Sequence, residues 1–282
     1  MEIYKTRSQI HQRVKELKAQ GKKIGFVPTM GALHQGHLSL IRCSKKDNDI
    51  TVVSIFVNPT QFNDPKDLEK YPRMLDKDIE KLKSEKVNIL FAPDEKEMYP
   101  VPDTRVFDFG HLDKVLEGKY RPGHFNSVAQ IVSKLFETIP AHKAYFGKKD
   151  YQQYLIIKEL AKKYIKDQEI EIIPCPLIRE KDGLAMSSRN LLLTQEQRKS
   201  AVLISKTLFK ARELKENKTI QEIKEFVVKI INQDPNLQVE YFEICDVNNL
   251  LPVANWDSSD NIIGLIAVYC GEIRLIDNIE FK

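Results

Sequence analysis

The sequence contains no closely spaced pair of cysteines. Its four cysteines, Cys43, Cys175, Cys245 and Cys270, are far apart in a chain of 282 residues, and no CxxC motif occurs. Structural zinc sites and disulfide frameworks depend on cysteines at short or repeated spacings, so the pattern indicates neither. Isolated cysteines are typical of proteins in a reducing compartment, and we therefore expect a cytoplasmic protein.

The sequence also lacks a long apolar segment. The first residues, MEIYKTRSQIHQRVKELK, mix charged residues with isolated apolar ones. No uninterrupted run approaches the ~20 apolar residues that span a bilayer. We therefore expect neither a membrane span nor an export signal.

Neither sign of charge dominates. The formal net charge is +4, and the basic residues occur as scattered pairs such as Lys22 with Lys23. A protein that binds nucleic acid usually concentrates its basic residues in one stripe, with aromatic residues between them. The distribution therefore argues against a nucleic-acid partner and favours small anionic substrates only weakly. The hydrophobic content of 42% is that of an ordinary globular protein with a sizeable core.

Short apolar runs alternate with helical patterns up to about residue 175. Phe125, Val128 and Val132 recur at helical spacing, and a second such series begins at Tyr154, so each predicts a helix with one buried face. This alternation is typical of βαβ units with a parallel sheet. We predict a Rossmann-like α/β domain over residues 1–175, with strands at KKIGFV, ITVVSIFV, VNILFAP, HKAYF and EIEIIP.

The pattern changes after residue 175. Two amphipathic helices are predicted around residues 201–211 and 220–230, and three strand-like runs follow them. The last two runs are joined across Cys270, Gly271 and Glu272, which predicts a hairpin. We therefore predict a smaller α+β domain over residues 176–282, with strands at LQVEYFEI, NIIGLIAVY and EIRLID.

The segment GFVPTMGALHQGHLSLI predicts a strand, a tight turn and a helix that begins near His34 and His37. The N-terminus of a helix presents unpaired N–H groups, which bind phosphate well, and a neutral imidazole there can donate a hydrogen bond to a phosphate oxygen. The alternative is that one histidine caps the helix and the other packs. The motif resembles the HxGH signature of the nucleotidylyl-transferase superfamily.

Three further segments carry polar residues where predicted strands or turns lead into helices. Asn58 and Gln61 follow the predicted strand ITVVSIFV, where their carboxamides can pair with carboxylates or simply hold an NPT turn. Arg121 and His124 precede a helix, where they can meet an anion or form a cap and a surface pair. Lys148, Lys149 and Asp150 can bind phosphate and ribose, or provide a helix cap beside a solvated basic pair.

Ser187, Ser188 and Arg189 lie in the second predicted domain, in the segment MSSRN. Two hydroxyls and a planar cation suit a polyphosphate, and the alternative is a serine-rich capping turn. The segment looks like the counterpart of the mobile KMSKS loop of the HxGH superfamily, with arginine carrying the charge.

Taken in order, the segments PTMGALHQGH, VNPTQF, YPR, RPGHF, FGKKDYQQ and KDGLAMSSRNLLL resemble the pantothenate synthetase (pantoate–β-alanine ligase) family over nearly the whole of the first 195 residues. The resemblance implies ATP-dependent condensation of (R)-pantoate with β-alanine through a pantoyl-adenylate, with Mg²⁺ and a homodimer. It implies that pantoate and β-alanine are bound near Gln61, with Gln153, Asn58, Arg121 and His124 assigned to the substrate site as well. It assigns catalytic roles to His37, His34, Lys148, Ser187, Ser188 and Arg189. It assigns ATP binding to Met30, Gly31, Ala32, Leu33, His34, Gln35, Gly36, His37, Gly147, Lys148, Lys149, Asp150, Ile178, Met186, Ser187, Ser188 and Arg189.

The protein ligands of Mg²⁺ are left open by the sequence. Relatives carry acidic residues after the YPR segment, and some of them have a further acid at the position of Lys77, which lies here between Asp76 and Asp78. This departure argues against a direct protein ligand and favours an ion that is held chiefly by ATP and water. Two other functions are considered: a nucleotidylyl transferase acting on a phosphorylated small molecule, and a non-catalytic nucleotide- or RNA-binding module.

Overall fold

The computed structural model describes residues 1–281. The chain divides into two compact units, of which Met1–Lys148 and Gln152–Pro176 form the first. Lys149–Tyr151 and the residues from Leu177 onwards form the second. The boundary between the two units, after Pro176, lies one residue from the domain boundary expected from the sequence. The short segment Lys149–Tyr151, in contrast, was expected to belong to the first domain. The function of each domain stays a prediction.

The first unit contains a six-stranded sheet in which every pairing is parallel. Its strands are β1 (Glu2–Tyr4), β2 (Ile24–Thr29), β3 (Ile50–Ile55), β4 (Ile89–Phe91), β5 (Lys143–Gly147) and β6 (Glu171–Cys175). The spatial order is β1-β4-β3-β2-β5-β6. The predicted parallel α/β architecture is therefore confirmed, and all five predicted strands of this domain are present.

Eight helices belong to this part of the chain: α1 (Arg7–Ala19), α2 (Gln35–Asp47), α3 (Pro65–Lys70), α4 (Leu75–Ser84), α5 (Glu95–Met98), α6 (Glu117–Tyr120), α7 (His124–Thr138) and α8 (Tyr151–Tyr164). The central strands β2 and β3 are mostly apolar, and four successive residues of each are buried, as expected for a parallel sheet that is covered on both faces. Val27, Val53 and Leu90 of three neighbouring strands pack with Ile41 of α2 in one buried cluster. No helix within residues 1–281 is long and apolar enough to cross a membrane.

The second unit combines two long helices with an antiparallel sheet. Its elements are α9 (Gln195–Leu214), α10 (Ile220–Ile231), β7 (Leu237–Asp246), β8 (Ile262–Cys270) and β9 (Ile273–Glu280). The strands are ordered β7-β8-β9, and β8 and β9 form the predicted hairpin across Gly271, whose φ of 58° suits glycine. Ala201, Leu208, Ile223 and Val227 of the two helices pack against the sheet. The predicted small α+β domain is confirmed.

The order of strands in the first unit brings three candidate segments to one edge. Strands β3 and β5 flank β2 and run parallel to it. Because the carboxyl ends of parallel strands lie at the same edge, the segments after Thr29, Ile55 and Gly147 all start there. These segments carry the histidine pair, Asn58 with Gln61, and Lys148.

Candidate active site

The turn after β2 places two successive residues in the left-handed region of backbone conformation. Gly31 has a φ of 82° and Ala32 a φ of 49°. This region is unfavourable for a residue with a side chain, so contacts around Ala32 must hold it there. Asp78 supplies these contacts: its Oδ2 accepts a hydrogen bond from the Ala32 N–H at 2.8 Å, and its Oδ1 accepts one from the Leu33 N–H at 2.8 Å.

Helix α4 therefore braces the turn, and it does so with two side chains. Lys81 of α4 donates to the Leu33 carbonyl at 2.5 Å, so both backbone groups of Leu33 are occupied. The side chains of Ala32 and Leu33 are buried. Burial raises the pKa of Asp78 above its ordinary value, and the two N–H donors and Lys81 oppose that rise. The structure gives Ala32 and Leu33 a role in holding the turn, and their contact with ATP stays a prediction.

Replacing Asp78 with asparagine is expected to weaken this brace. The new side chain can accept from one of the two N–H groups, but its own NH₂ would face the other one. We expect the free energy of unfolding to fall by about 1–3 kcal/mol, as measured by urea denaturation. Asp76→Asn is the control because Asp76 is exposed on the same helix, and a change within about 0.5 kcal/mol is expected there. Equal losses in the two variants would contradict the brace.

Helix α2 begins with the two histidines of the HxGH motif. His34 is the N-cap residue, and its Nδ1 accepts a hydrogen bond from the Gly36 N–H at 3.1 Å. The Nδ1 of His37 accepts one from the His34 N–H at 3.3 Å, which completes a reciprocal capping box. Capping by a histidine, one alternative at the sequence level, is therefore observed, and it involves both rings.

These hydrogen bonds also fix the position of the ring protons. A ring nitrogen that accepts from an N–H carries no proton, so a neutral imidazole bonded through Nδ1 is protonated on Nε2. The rings of His34 and His37 lie next to each other, with centroids 4.1 Å apart. The capping hydrogen bonds thus use the Nδ1 of each ring, and a contact between either Nε2–H and a phosphate oxygen stays a prediction.

Asn58 and Gln61 lie in a short turn after β3, where a 3₁₀ helix spans Pro59–Gln61. Asn58 is 1% exposed, and its Nδ2 donates to Gln61 Oε1 at 3.2 Å. The Nε2 of Gln61 donates to the sulfur of Met30 at 3.0 Å. The structure therefore brings together three residues that the sequence assigned to ATP and pantoate separately.

Arg121 and His124 hold the backbone of the same turn. His124 Nδ1 lies 3.0 Å from the Gln61 carbonyl oxygen and donates to it, and Arg121 Nη2 donates to that oxygen at 3.3 Å. Arg121 also forms an ion pair with Glu117 at 3.5 Å. Neither residue caps α7 through its side chain, since Gly123 is the N-cap and no side-chain cap is present. Both residues therefore contact the backbone of Gln61, and their part in binding substrate stays a prediction.

Gly147 ends β5, and Lys148–Asp150 form a 3₁₀ turn before α8. Lys149 lies 3.7 Å from the Asp150 carboxylate. Gln153 is half-buried, and its contact with pantoate stays a prediction. Its neighbour Gln152 is buried instead, and the Nε2 of Gln152 donates hydrogen bonds to the carbonyl oxygens of Leu112 and Val115.

The second unit holds the remaining predicted ATP-binding residues in a compact turn. The Met186 N–H donates to the Ile178 carbonyl at 3.0 Å, which closes the segment between them. Ser187 is the N-cap of a 3₁₀ helix over Ser188–Leu192, and its Oγ accepts from the Arg189 N–H at 3.2 Å. The capping turn considered at the sequence level is therefore present. Ser188 is buried at 5% exposure and Arg189 is half-buried.

A buried ion pair that the sequence did not reveal supports this turn. Arg179 donates to Asp277 Oδ2 at 2.7 Å and to Oδ1 at 2.9 Å, and its Nη1 also donates to the Gly183 carbonyl at 3.1 Å. The neighbouring Asn278 donates to the Lys149 carbonyl at 3.0 Å. Burial raises the pKa of the Asp277 carboxyl, and the Arg179 guanidinium opposes that rise. Strand β9 thus anchors both Lys149 and the segment that leads to Met186.

The described residues do not form a protein cage for a metal ion. No group of three His, Cys, Asp or Glu side chains within residues 1–281 has suitable geometry. Asp78 uses both carboxylate oxygens to hold Ala32 and Leu33, and Asp76 is exposed. The engagement of Asp78 with the turn leaves the way in which Mg²⁺ is held a prediction.

The family model for Pantoate-beta-alanine ligase matches residues 2–280 of the chain. The chain belongs to this family. It is 52% identical to the pantothenate synthetase of Bacteroides fragilis strain YCH46, over all of this chain and 99% of that protein. It is 49% identical to the pantothenate synthetase of Phocaeicola vulgatus, with complete coverage of both.

Solved structures of the family share the fold. The pantothenate synthetase of Thermus thermophilus is 37% identical and superimposes with a TM-score of 0.92, covering 100% of this chain and 99% of that one. The pantoate–β-alanine ligase of Francisella tularensis is 38% identical, with a TM-score of 0.84 and coverage of 100% and 98%. Its structure is described as complexed with β-γ ATP and β-alanine. Membership in the pantoate–β-alanine ligase family makes the protein a ligase, while the roles of single residues stay predictions.

Proposed function

We propose that the protein condenses pantoate with β-alanine in two steps, through a pantoyl-adenylate. Family membership supports the overall reaction, and the Francisella relative complexed with β-γ ATP and β-alanine supports ATP as co-substrate. A carboxylate is a poor acyl donor because its leaving group would be oxide. In the first step a pantoate oxygen bonds to the α-phosphorus of ATP and pyrophosphate leaves. In the second step the amine of β-alanine bonds to the acyl carbon, AMP leaves, and the amine loses a proton.

The observation that carries this proposal is the pair of capping histidines at the start of α2. Each Nδ1 is held by a backbone N–H, so each neutral ring offers an Nε2–H donor at a helix N-terminus. Negative charge grows on the phosphate oxygens during adenylation, and donors fixed in advance stabilise that charge most. We assign His37 and His34 to this role, and Mg²⁺ on ATP supplies further charge neutralisation.

The other candidate residues divide between the two substrates. Gln61 and Gln153 offer neutral carboxamides for pantoate, and Asn58, Arg121 and His124 support Gln61 from behind. A phosphorylated substrate would favour cations at the positions of Gln61 and Gln153. The neutral carboxamides there distinguish the proposed reaction from that of another nucleotidylyl transferase. We assign Lys148, Ser187, Ser188 and Arg189 to the phosphates of ATP. Homodimer formation, a cytoplasmic location and the absence of a nucleic-acid partner stay predictions.

Exchange of labelled pyrophosphate into ATP tests the proposal. We expect exchange that depends on pantoate and does not need β-alanine, because the first step is complete without the amine. Addition of β-alanine should then release AMP and form the amide. Exchange without pantoate, or exchange stimulated only by a phosphorylated acid or alcohol, would contradict the assignment. An RNA affinity that depends on salt, with no exchange, would favour the binding-module alternative.

A further inference from the structure

The hydroxyl of Tyr99 reaches the candidate substrate site through Asn58. Tyr99 directly follows α5, and its hydroxyl donates to Asn58 Oδ1 at 2.8 Å. Thr60 Oγ1 donates to the same oxygen at 3.2 Å. The two hydroxyls thus hold one end of the Asn58 carboxamide, and its other end, Nδ2, faces Gln61.

Asn58 in turn holds Gln61. The Nδ2 of Asn58 donates to Gln61 Oε1 at 3.2 Å. The Nε2 of Gln61 is then a pure donor, and one of its hydrogens faces the thioether of Met30 at 3.0 Å, a weak acceptor. A line of hydrogen bonds thus connects the hydroxyl of Tyr99 to the carboxamide of Gln61.

Both ends of this line are held in place. The Nζ of Lys134 lies 4.5 Å from the centroid of the Tyr99 ring, and it also donates to the Met98 carbonyl and pairs with Asp103 at 3.2 Å. At the other end, Arg121 and His124 fix the backbone of Gln61, as described above. Since the main chain is fixed from behind, the remaining freedom of Gln61 is the rotation of its side chain and the flip of its amide.

We propose that Tyr99 is a positioning residue that holds the carboxamide of Gln61 in place for the bound acid. The proposal rests on the assignment of Gln61 to pantoate. A carboxylate only accepts hydrogen bonds, so it is bound by the NH₂ of Gln61, and the position of that NH₂ depends on where the carboxamide is held. Tyr99 and Thr60 hold Asn58, and Asn58 in turn donates to Gln61 Oε1.

The first experiment measures the KM for pantoate and for ATP in the exchange reaction of Tyr99→Phe. Thr60 still donates to Asn58 in this variant, so we expect the pantoate KM to rise about threefold to tenfold. The double variant Tyr99→Phe with Thr60→Val removes both donors, and its pantoate KM should rise about tenfold or more. The ATP KM should stay within about twofold of normal in both. Tyr164→Phe is the control, because its hydroxyl bonds to the backbone of Asp108, and it should behave as the unmodified protein.

A second set of variants shows whether the effect passes through Gln61. Gln61→Ala alone should raise the pantoate KM more than the ATP KM. In the Gln61→Ala background, Tyr99→Phe with Thr60→Val should add nothing further, since no carboxamide remains to be oriented. Additive effects on the pantoate KM would overturn the proposal, as would a normal pantoate KM in the Tyr99 and Thr60 double variant.

A measurement without substrate separates this proposal from the proposed function. Asn58 is only 1% exposed and its carboxamide is bonded on both sides, so its NH₂ protons should exchange slowly with solvent in NMR spectra of ¹⁵N-labelled protein. Tyr99→Phe with Thr60→Val should speed this exchange about tenfold or more, while Tyr164→Phe should not. Unchanged proton exchange of the Asn58 NH₂ would overturn the positioning role, even if the unmodified protein showed no activity with pantoate. The absence of pantoate-dependent pyrophosphate exchange in the unmodified protein would contradict the proposed function alone.

Discussion

Replacing His37 with alanine is expected to slow pantoate-dependent pyrophosphate exchange by about 100- to 1000-fold, the effect of removing one oriented donor from a transition state. The reason lies in the tautomer that the structure imposes. The Nδ1 of His37 accepts from the His34 N–H, so its proton is on Nε2, where it can stabilise charge on the α-phosphate. Because this charge grows during the reaction, kcat should fall more than the KM values rise.

The alanine variant also removes half of the capping box, so a loss of stability must be separated from a loss of catalysis. His37→Asn keeps an acceptor near the position of Nδ1 but has no group near that of Nε2. His37→Gln has the opposite character, because its terminal NH₂ reaches about as far as Nε2. We expect His37→Asn to retain the cap and remain slow in exchange, and His37→Gln to recover part of the rate. An asparagine variant with near-normal exchange would remove His37 from the mechanism.

The parallel sheet could be predicted because its strands are buried on both faces. Such strands form continuous apolar runs, and Ile24–Val27 and the run around Val52 are two of them. The edge strand β1 was not predicted. It has only three residues, Glu2–Tyr4, none of which is fully buried, so it leaves neither an apolar run nor a clear alternation. It is recognised only by its parallel pairing with β4.

The candidate site was predictable where its residues are neighbours in sequence. His34 and His37 follow a strand and begin a helix, and that local pattern is visible without the fold. Asp78 could not be predicted as a brace, because it contacts Ala32 and Leu33 across 46 and 45 residues. Tyr99 lies 41 residues from Asn58, and Arg179 lies 98 residues from Asp277. Charged and aromatic residues are common on surfaces, so only the three-dimensional structure distinguishes these from solvated side chains.

Asp277→Asn is expected to lower the free energy of unfolding by about 3 kcal/mol, measured by guanidinium denaturation monitored by circular dichroism. The substitution preserves shape but removes the charge that faces Arg179, whose side chain is only 18% exposed. The new NH₂ would also face one of the guanidinium N–H groups, so neither of these two donors would have an acceptor. The exposed pair between Arg198 and Asp182 in the same unit provides the control, and Asp182→Asn should cost less than about 1 kcal/mol.

Replacing both partners separates stability from positioning. Arg179→Met with Asp277→Leu leaves no charge buried, so it should recover most of the stability that Asp277→Asn loses. It does not restore the bond from Arg179 to the Gly183 carbonyl, which holds the segment between Ile178 and Met186. We therefore expect the ATP KM of the double variant to remain raised at a temperature where the protein is fully folded, with a smaller change in the pantoate KM. If the ATP KM returned to normal together with stability, the ion pair would be needed only for folding, and the segment would not depend on Arg179 for its position.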